Sequence, residues 1–168
     1  TIPYIDVEYS DDHFVQDHHI IAGGVSNHNR FAWTVPSDTS GDIWILIRDS
    51  RYKEVFSVVD MPVRISGKLS LASPQGGENF KVGDEILIQW KTIGTISQIR
   101  LEYSTTDFLS SVPIAETIDN EGEFSWHIPD VITDSLKVRI TDASDSAVYA
   151  ETLSPIKIQG ELEFLSPQ

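Results

Sequence analysis

The chain has 168 residues, a length that suits one or two domains, and its 12 Lys and Arg against 26 Asp and Glu give a formal net charge of −14. That balance repels phosphate backbones and anionic lipid headgroups, so nucleic acid and anionic membrane surfaces are poor partners. There is no Cys, which removes disulfides and thiolate metal sites; in an extracellular protein this leans towards a bacterial or archaeal source, and inside a cell it is equally normal.

Read from the N-terminus, the first apolar residues introduce an internal repeat. Ile5, Glu8, Tyr9, Ser10 and Phe14 recur as Ile99, Glu102, Tyr103, Ser104 and Phe108, at a spacing of 94. From Ile21 onward the spacing is 93, so that Asn27, Phe31, Trp33, Ile47, Asp49, Pro62 and Ile65 reappear as Asn120, Phe124, Trp126, Ile140, Asp142, Pro155 and Ile158. The matches continue through Ser73-Pro74-Gln75, which returns as Ser166-Pro167-Gln168. The expected organisation is a partial repeat over 1–67 lacking its first third, a complete repeat over 68–160, and the opening of another over 161–168. A sequence cut this way reads as a window on a longer polypeptide, and repeating arrays usually space, stick or build rather than catalyse.

Within the complete copy, apolar and polar residues alternate at Ile86-Ile88-Trp90, Ile99-Leu101-Tyr103, Phe124-Trp126-Ile128, Leu136-Val138-Ile140 and Ile156-Ile158. Period two over such lengths predicts half-buried strands. Turn signals separate them: Pro74-Gln-Gly76-Gly77, Gly83-Asp84, Gly94, Asp119-Asn120-Glu121-Gly122 and Asp142 to Ser146. No segment has helical periodicity. The prediction is all-β: tandem Ig-like or fibronectin-III-like sandwiches, with Pro62 and Pro155 at a strand start or sheet edge, where a missing donor costs nothing. The longest apolar run, Ile43 to Ile47, is too short to span a bilayer.

The run Ser73-Pro74-Gln-Gly76-Gly77-Glu78, followed by Val82-Gly83, Ile88-Gln-Trp90, Leu101-Glu-Tyr103-Ser104, Phe124-x-Trp126-x-Ile128-Pro129 and Val138-Arg-Ile140-x-Asp142, resembles the Ig-like repeat of the Ser/Thr-rich GPI-anchored family. The resemblance implies a link to fungal cell-wall glucan assembly and to tandem modules of bacterial and archaeal surface proteins. It carries no catalytic residue. Where that family often has a Gly-rich Asp hairpin after the third strand, this chain has Thr105-Thr-Asp107-Phe108-Leu109, and Asp11 to His19 in the first copy.

Several constellations suggest chemistry, and each has a plainer reading. Pro-x-Gly-Gly-Glu is not followed by Lys-Ser/Thr or a helix, so a turn supported by Glu78 is expected in place of a phosphate cradle. His13, His18 and His19 beside Asp11, Asp12 and Asp17 are ligand types for zinc or nickel, set in a loop that the second copy does not match. No cofactor is expected, with calcium as the one candidate ion for so acidic a surface. Asp142 and Asp145, with Asp49 as the counterpart of Asp142, are the proposed ligands, although an Asp after a strand commonly caps a turn.

Phe31 and Trp33, like Phe124 and Trp126, fall on the apolar side of their segment and are expected in the core. The copies diverge on the outward side of one strand, where Lys137, Arg139 and Thr141 are replaced by Trp44, Leu46 and Arg48. An apolar pair beside Arg predicts an interface, either with a neighbouring module or through self-association.

The functional expectation is a non-catalytic structural module of a secreted or cell-surface repeat protein: a scaffold, stalk, surface layer (S-layer) or extracellular filament. Its partners would be neighbouring modules and further copies of itself. The alternative is an adhesin or carbohydrate-binding accessory module with cell-wall polysaccharide as its partner. The edges of the first copy are expected to be completed by preceding residues, or by a strand such as Leu162 to Leu165 from another chain.

Overall fold

The computed structural model describes residues 1–36 and 41–162, and these form two compact units that meet at Ser66 and Gly67. The described elements are all strands. Of the expected opening of a further repeat, residues 163–168 lie outside the described residues, and so does most of the Leu162 to Leu165 segment.

The first unit contains β1 (Tyr4–Ser10), β2 (His19–Ser26), β3 (Gly41–Asp49), β4 (Phe56–Val58) and β5 (Val63–Ile65). They form one antiparallel sheet in the order β2-β1-β3-β4, with β5 also paired to β3.

The second unit contains β6 (Lys68–Ser73), β7 (Asn79–Lys81), β8 (Glu85–Ile93), β9 (Gln98–Ser104), β10 (Val112–Asp119), β11 (Glu123–His127), β12 (Thr133–Asp142), β13 (Tyr149–Glu151) and β14 (Ile156–Gln159). Here there are two sheets: β10-β9-β12-β14-β7 with β13 on β12, and β11-β8-β6. Alternation along each strand sends one set of side chains between them. Leu69, Ile88, Trp90 and Trp126 from the smaller sheet meet Ile99, Leu101, Leu136, Val138, Ile140, Ile156 and Ile158 from the larger one. Side chains of this size contribute about 1.5–3 kcal/mol each when fully buried, which makes this cluster the dominant stabilising feature of the unit.

The two units share most of their pairing, and differ at the last strand, where Ile65 faces Gly41 but Ile158 faces Thr133 across a register shift. Ile5 faces Asp49 as Ile99 faces Asp142, and Tyr9 faces Ile45 as Tyr103 faces Val138. Leu46 faces Val58 as Arg139 faces Glu151, and Ile43 faces Val63 as Leu136 faces Ile156. The strands β1 to β5 are therefore built like β9, β10, β12, β13 and β14. The first unit has no counterpart of β6, β7 or β8 among the described residues.

That difference corrects one expectation. Phe31 is 45% exposed and the segment carrying Phe31 and Trp33 is not a strand, whereas the equivalent β11 is a strand because β8 pairs with it. Residues with strand-forming side chains adopt strand backbone only when a neighbour satisfies their N–H and C=O groups.

The pattern also misses β10, which carries Pro113. This strand tolerates a proline because it lies at the end of its sheet, with β9 on one side only among the described residues.

Candidate interaction surface

Val7 and Ile43 are buried like their equivalents Leu101 and Leu136, but other core positions filled in the second unit stand open in the first. Ile47 is 46% exposed where its equivalent Ile140 is fully buried, and Val63 is 42% exposed where Ile156 is fully buried. Ile5 and Ile45 are half-buried, against complete burial of Ile99 and Val138. With no second sheet over it among the described residues, this face is a cleft of about 700 Å³ lined by Ile5, Val7, Ile21, Phe31, Trp33 and Ile47, with Asn27, Asn29 and Arg30 among its polar residues. Contiguous apolar surface of this kind on a sheet face marks a contact site more often than not.

Two fixtures of the filled core persist in the open one. The Trp33 ring packs on Tyr9 at 5.3 Å with a 32° tilt, and Trp126 packs on Tyr103 at 5.5 Å with a 35° tilt. Asn27 donates its side-chain amide to the Ile2 carbonyl (3.1 Å), as Asn120 does to the Ile96 carbonyl (2.8 Å). The backbone amides match as well: Asn27 donates to Pro3 and Asn120 to Ser97, each at 3.0 Å. In the second unit the remaining side-chain oxygen of Asn120 accepts the indole N–H of Trp90 at 2.6 Å. Among the described residues the Asn27 oxygen accepts from the Asn29 amide, at a long 3.4 Å. Sequence reading marked Asn27 as a repeated residue without giving it a role, because Trp90 has no counterpart in the first copy.

On the opposite face of β3 the expected patch takes a different form. Leu46 is not displayed; it is 4% exposed, while Trp44 is half-buried with the His13 ring edge-on to it at 5.2 Å. Arg48 is engaged too, donating to Glu8 at 3.0 Å, and its buried Nε has no partner among the described residues. The equivalent of Leu46, Arg139, lies 3.6 Å above the Phe108 ring and 4.9 Å from the Tyr149 ring centre, and donates to Glu151 at 3.0 Å. In each unit a loop folds back across this outer face, so the strand's outward side chains are covered rather than presented.

Those loops share one design. Ser10 Oγ accepts the amides of Asp12 (3.1 Å) and Phe14 (2.8 Å), and Ser104 Oγ accepts those of Thr106 and Phe108 (both 3.0 Å). Each loop then passes through two consecutive left-handed residues, His13-Phe14 and Asp107-Phe108, all with φ between 53° and 64°. Non-glycine residues adopt this conformation only where surrounding bonds enforce it.

The loop chemistry explains where the candidate ligands go. Asp12 takes the Ser10 hydroxyl at 2.7 Å, which heads the causes holding its pKa at about 2, and it also accepts the amides of Val15, Gln16 and Asp17. His18 reaches Glu8 at 3.3 Å, and His19 reaches Asp17 at 2.7 Å while stacking on Tyr9. The imidazoles thus diverge to opposite faces, as extended chain requires.

For calcium, Asp142 accepts the Ser144 amide and hydroxyl, Asp49 the amides of Arg51 and Tyr52, and Asp145 the Ala147 amide. All three carboxylates cap turns. Among the described residues no three His, Cys, Asp or Glu side chains gather as a metal site.

The Gly-rich segment is a turn with Glu78 at its centre, accepting the amides of Gln75 (2.8 Å) and Gly76 (2.7 Å). Those amides are therefore not available to a phosphate. No helix among the described residues is long and apolar enough to cross a membrane.

No family model matches the chain, and no curated protein matches it. Among solved structures it is similar to the fibronectin(III)-like modules of Clostridium thermocellum CbhA, at 12% identity and a TM-score of 0.31, over 100% of this chain and 85% of that one. A likeness of that size carries nothing about function, and the all-β fold is read from the strand pairing itself.

Proposed function

We propose that this chain is a non-catalytic structural segment of a secreted or cell-surface repeat protein, of the scaffold, stalk, surface-layer or filament kind, whose modules pack and self-associate without covalent chemistry. The observation that carries this reading is the pairing of one filled sandwich with one open sheet of the same design, the open sheet retaining the fixtures of a core. An interaction surface of this sort holds modules together; it positions no nucleophile, base or metal. The reading is tested by sedimentation of the 168-residue chain over a concentration series, with Ile47→Glu as the comparison. Association that the charged variant abolishes supports it, and a chain that neither self-associates nor binds any module segment counts against it.

A second reading is favoured by the side chains beside the cleft. Two aromatic rings with Asn27, Asn29 and Arg30 are the residue types that hold a sugar ring, which suits an adhesin or carbohydrate-binding accessory module. Saturable binding to cell-wall polysaccharide, lost in Trp33→Ala, would establish it.

A further inference from the structure

We infer that the open face of the first unit is a docking site for a segment with the chemistry of residues 68–93: three short extended strands, the last carrying a tryptophan three residues before its end. The inference deepens the structural reading above and rests on it.

The second unit already shows this interface formed. Its β6 and β8, with β11, cover the face whose residues match Ile5, Val7, Ile45 and Ile47 one for one, and the covering side chains are Leu69, Ile88 and Trp90. The face in the first unit keeps the same sheet register, so its dimensions already suit such a segment. Two further features single out this occupant from a generic apolar one.

The first is Asn27. Its side chain is anchored to the Ile2 carbonyl in the geometry by which Asn120 holds the Trp90 indole, so an acceptor is in place for an indole N–H at that end of the cleft. An aliphatic occupant would leave that acceptor unused, whereas an arriving tryptophan gains a directed hydrogen bond.

The second is backbone. In the second unit β11 pairs with β8 through Phe124↔Ile88 and Trp126↔Ile86, and β14 pairs in parallel with β7 through Ile158↔Phe80. Translated by the repeat, Phe31 would face the position of Ile88, Trp33 that of Ile86, and Ile65 that of Phe80. The segment around Phe31 and Trp33, irregular here, becomes a strand when its neighbour arrives.

The test adds a synthetic peptide of residues 67–98 to the intact 168-residue chain and follows binding together with amide hydrogen exchange. Saturable one-to-one binding is expected, with exchange slowed at residues 30–34 and 63–66, and unchanged over Glu123–His127, whose face is already covered. Asn27→Ala in the chain and Trp90→Phe in the peptide should each weaken binding about fivefold, and together no more than either alone, because both remove one hydrogen bond. Ile47→Glu and, independently, Val63→Glu should abolish binding; both positions are exposed, so folding is retained.

Absence of saturable binding overturns the inference, and so does binding indifferent to Ile47→Glu. Additive effects of the Asn27 and Trp90 changes overturn the assigned register. If the peptide fails to bind but the chain dimerises through the same face, the occupant is a second copy: this inference falls while the structural reading survives. If the chain stays monomeric and binds no peptide, both fall.

Discussion

Trp33 lies against Tyr9 in the geometry by which Trp126 lies against Tyr103, yet only the second tryptophan is sealed from water: Trp126 is 8% exposed and Trp33 is half-buried. The same ring contact therefore sits in a full core in one unit and at an open surface in the other. Trp126→Ala should cost about 3–5 kcal/mol, the range for an aromatic removed from a packed core, and Trp33→Ala distinctly less. Denaturant unfolding should show two transitions, the earlier one belonging to the single-sheet unit, with each substitution shifting only its own.

Asn120 ties three groups together, accepting from Trp90 and donating to Ile96 and Thr92. Asn120→Ala leaves the partly buried indole N–H and a carbonyl without partners and should destabilise the second unit by about 1–3 kcal/mol. Asn27→Ala loses two exposed hydrogen bonds, one of them long, and should change stability by less than about 0.5 kcal/mol, measured in the same unfolding experiment.

Arginine has moved along one face between the copies. Arg139 approaches Glu102 in the second unit, while position 46 is Leu in the first and Arg48, two residues further on, pairs with Glu8. Glu8 and Glu102 are equivalent, so the carboxylate keeps a cation by either route. Glu8→Gln removes the charge facing a largely buried guanidinium, and the first unit's transition should fall by about 1–3 kcal/mol. An unchanged midpoint would show that the pair is solvated.

Asp6 provides a pH dependence with a definite sign. The Lys53 ammonium, then the Gly24 amide and the Ser50 hydroxyl, lower its pKa from 3.8 to about 2. A carboxylate whose folded pKa is depressed contributes stability above its unfolded pKa, and that contribution is lost as pH falls from 3.8 towards about 2. The first unit should weaken across that window, and Asp6→Asn should flatten the slope that remains after Asp12 is accounted for. Midpoints measured at several acidic pH values check this.

Gly76 is required by its surroundings. Its φ is +106°, and a Cβ would stand 2.0 Å from the Ser154 carbonyl oxygen, which is backbone and has nowhere to go. Gly76→Ala should destabilise the second unit by more than about 2 kcal/mol. Gly24→Ala, with φ of +64° and no atom within 4 Å, should cost about 1 kcal/mol.

What could be read from residues alone follows from these details. Alternation exposed β8, β9, β11, β12 and β14, because each carries large apolar side chains at every second position. It does not reveal β6, β7, β10 or β13, edge or short strands whose pattern is weak and whose existence depends on a neighbour's hydrogen bonds. Phe31 and Trp33 follow the same rule: their side chains suit a core, but no second sheet encloses them among the described residues of the first unit. Leu46 was expected at the surface because strand alternation cannot foresee a loop that folds back over the outer face. That loop depends on left-handed backbone at His13 and Phe14, and Phe has no intrinsic preference for it. The turn around Glu78 was legible, since Pro, paired Gly and a carboxylate in that order leave few alternatives.

The central claim is that the first unit is one half of the sandwich completed in the second. Amide hydrogen exchange of the intact chain at low concentration addresses it most directly, by comparing Ile43–Asp49 with the equivalent Leu136–Asp142. Exchange at least about tenfold faster in the first stretch is the predicted result, since Ile45 is half-buried and Ile47 exposed where Val138 and Ile140 are sealed in the core. Equal protection would mean that something in the chain already closes the first face, and would contradict the account.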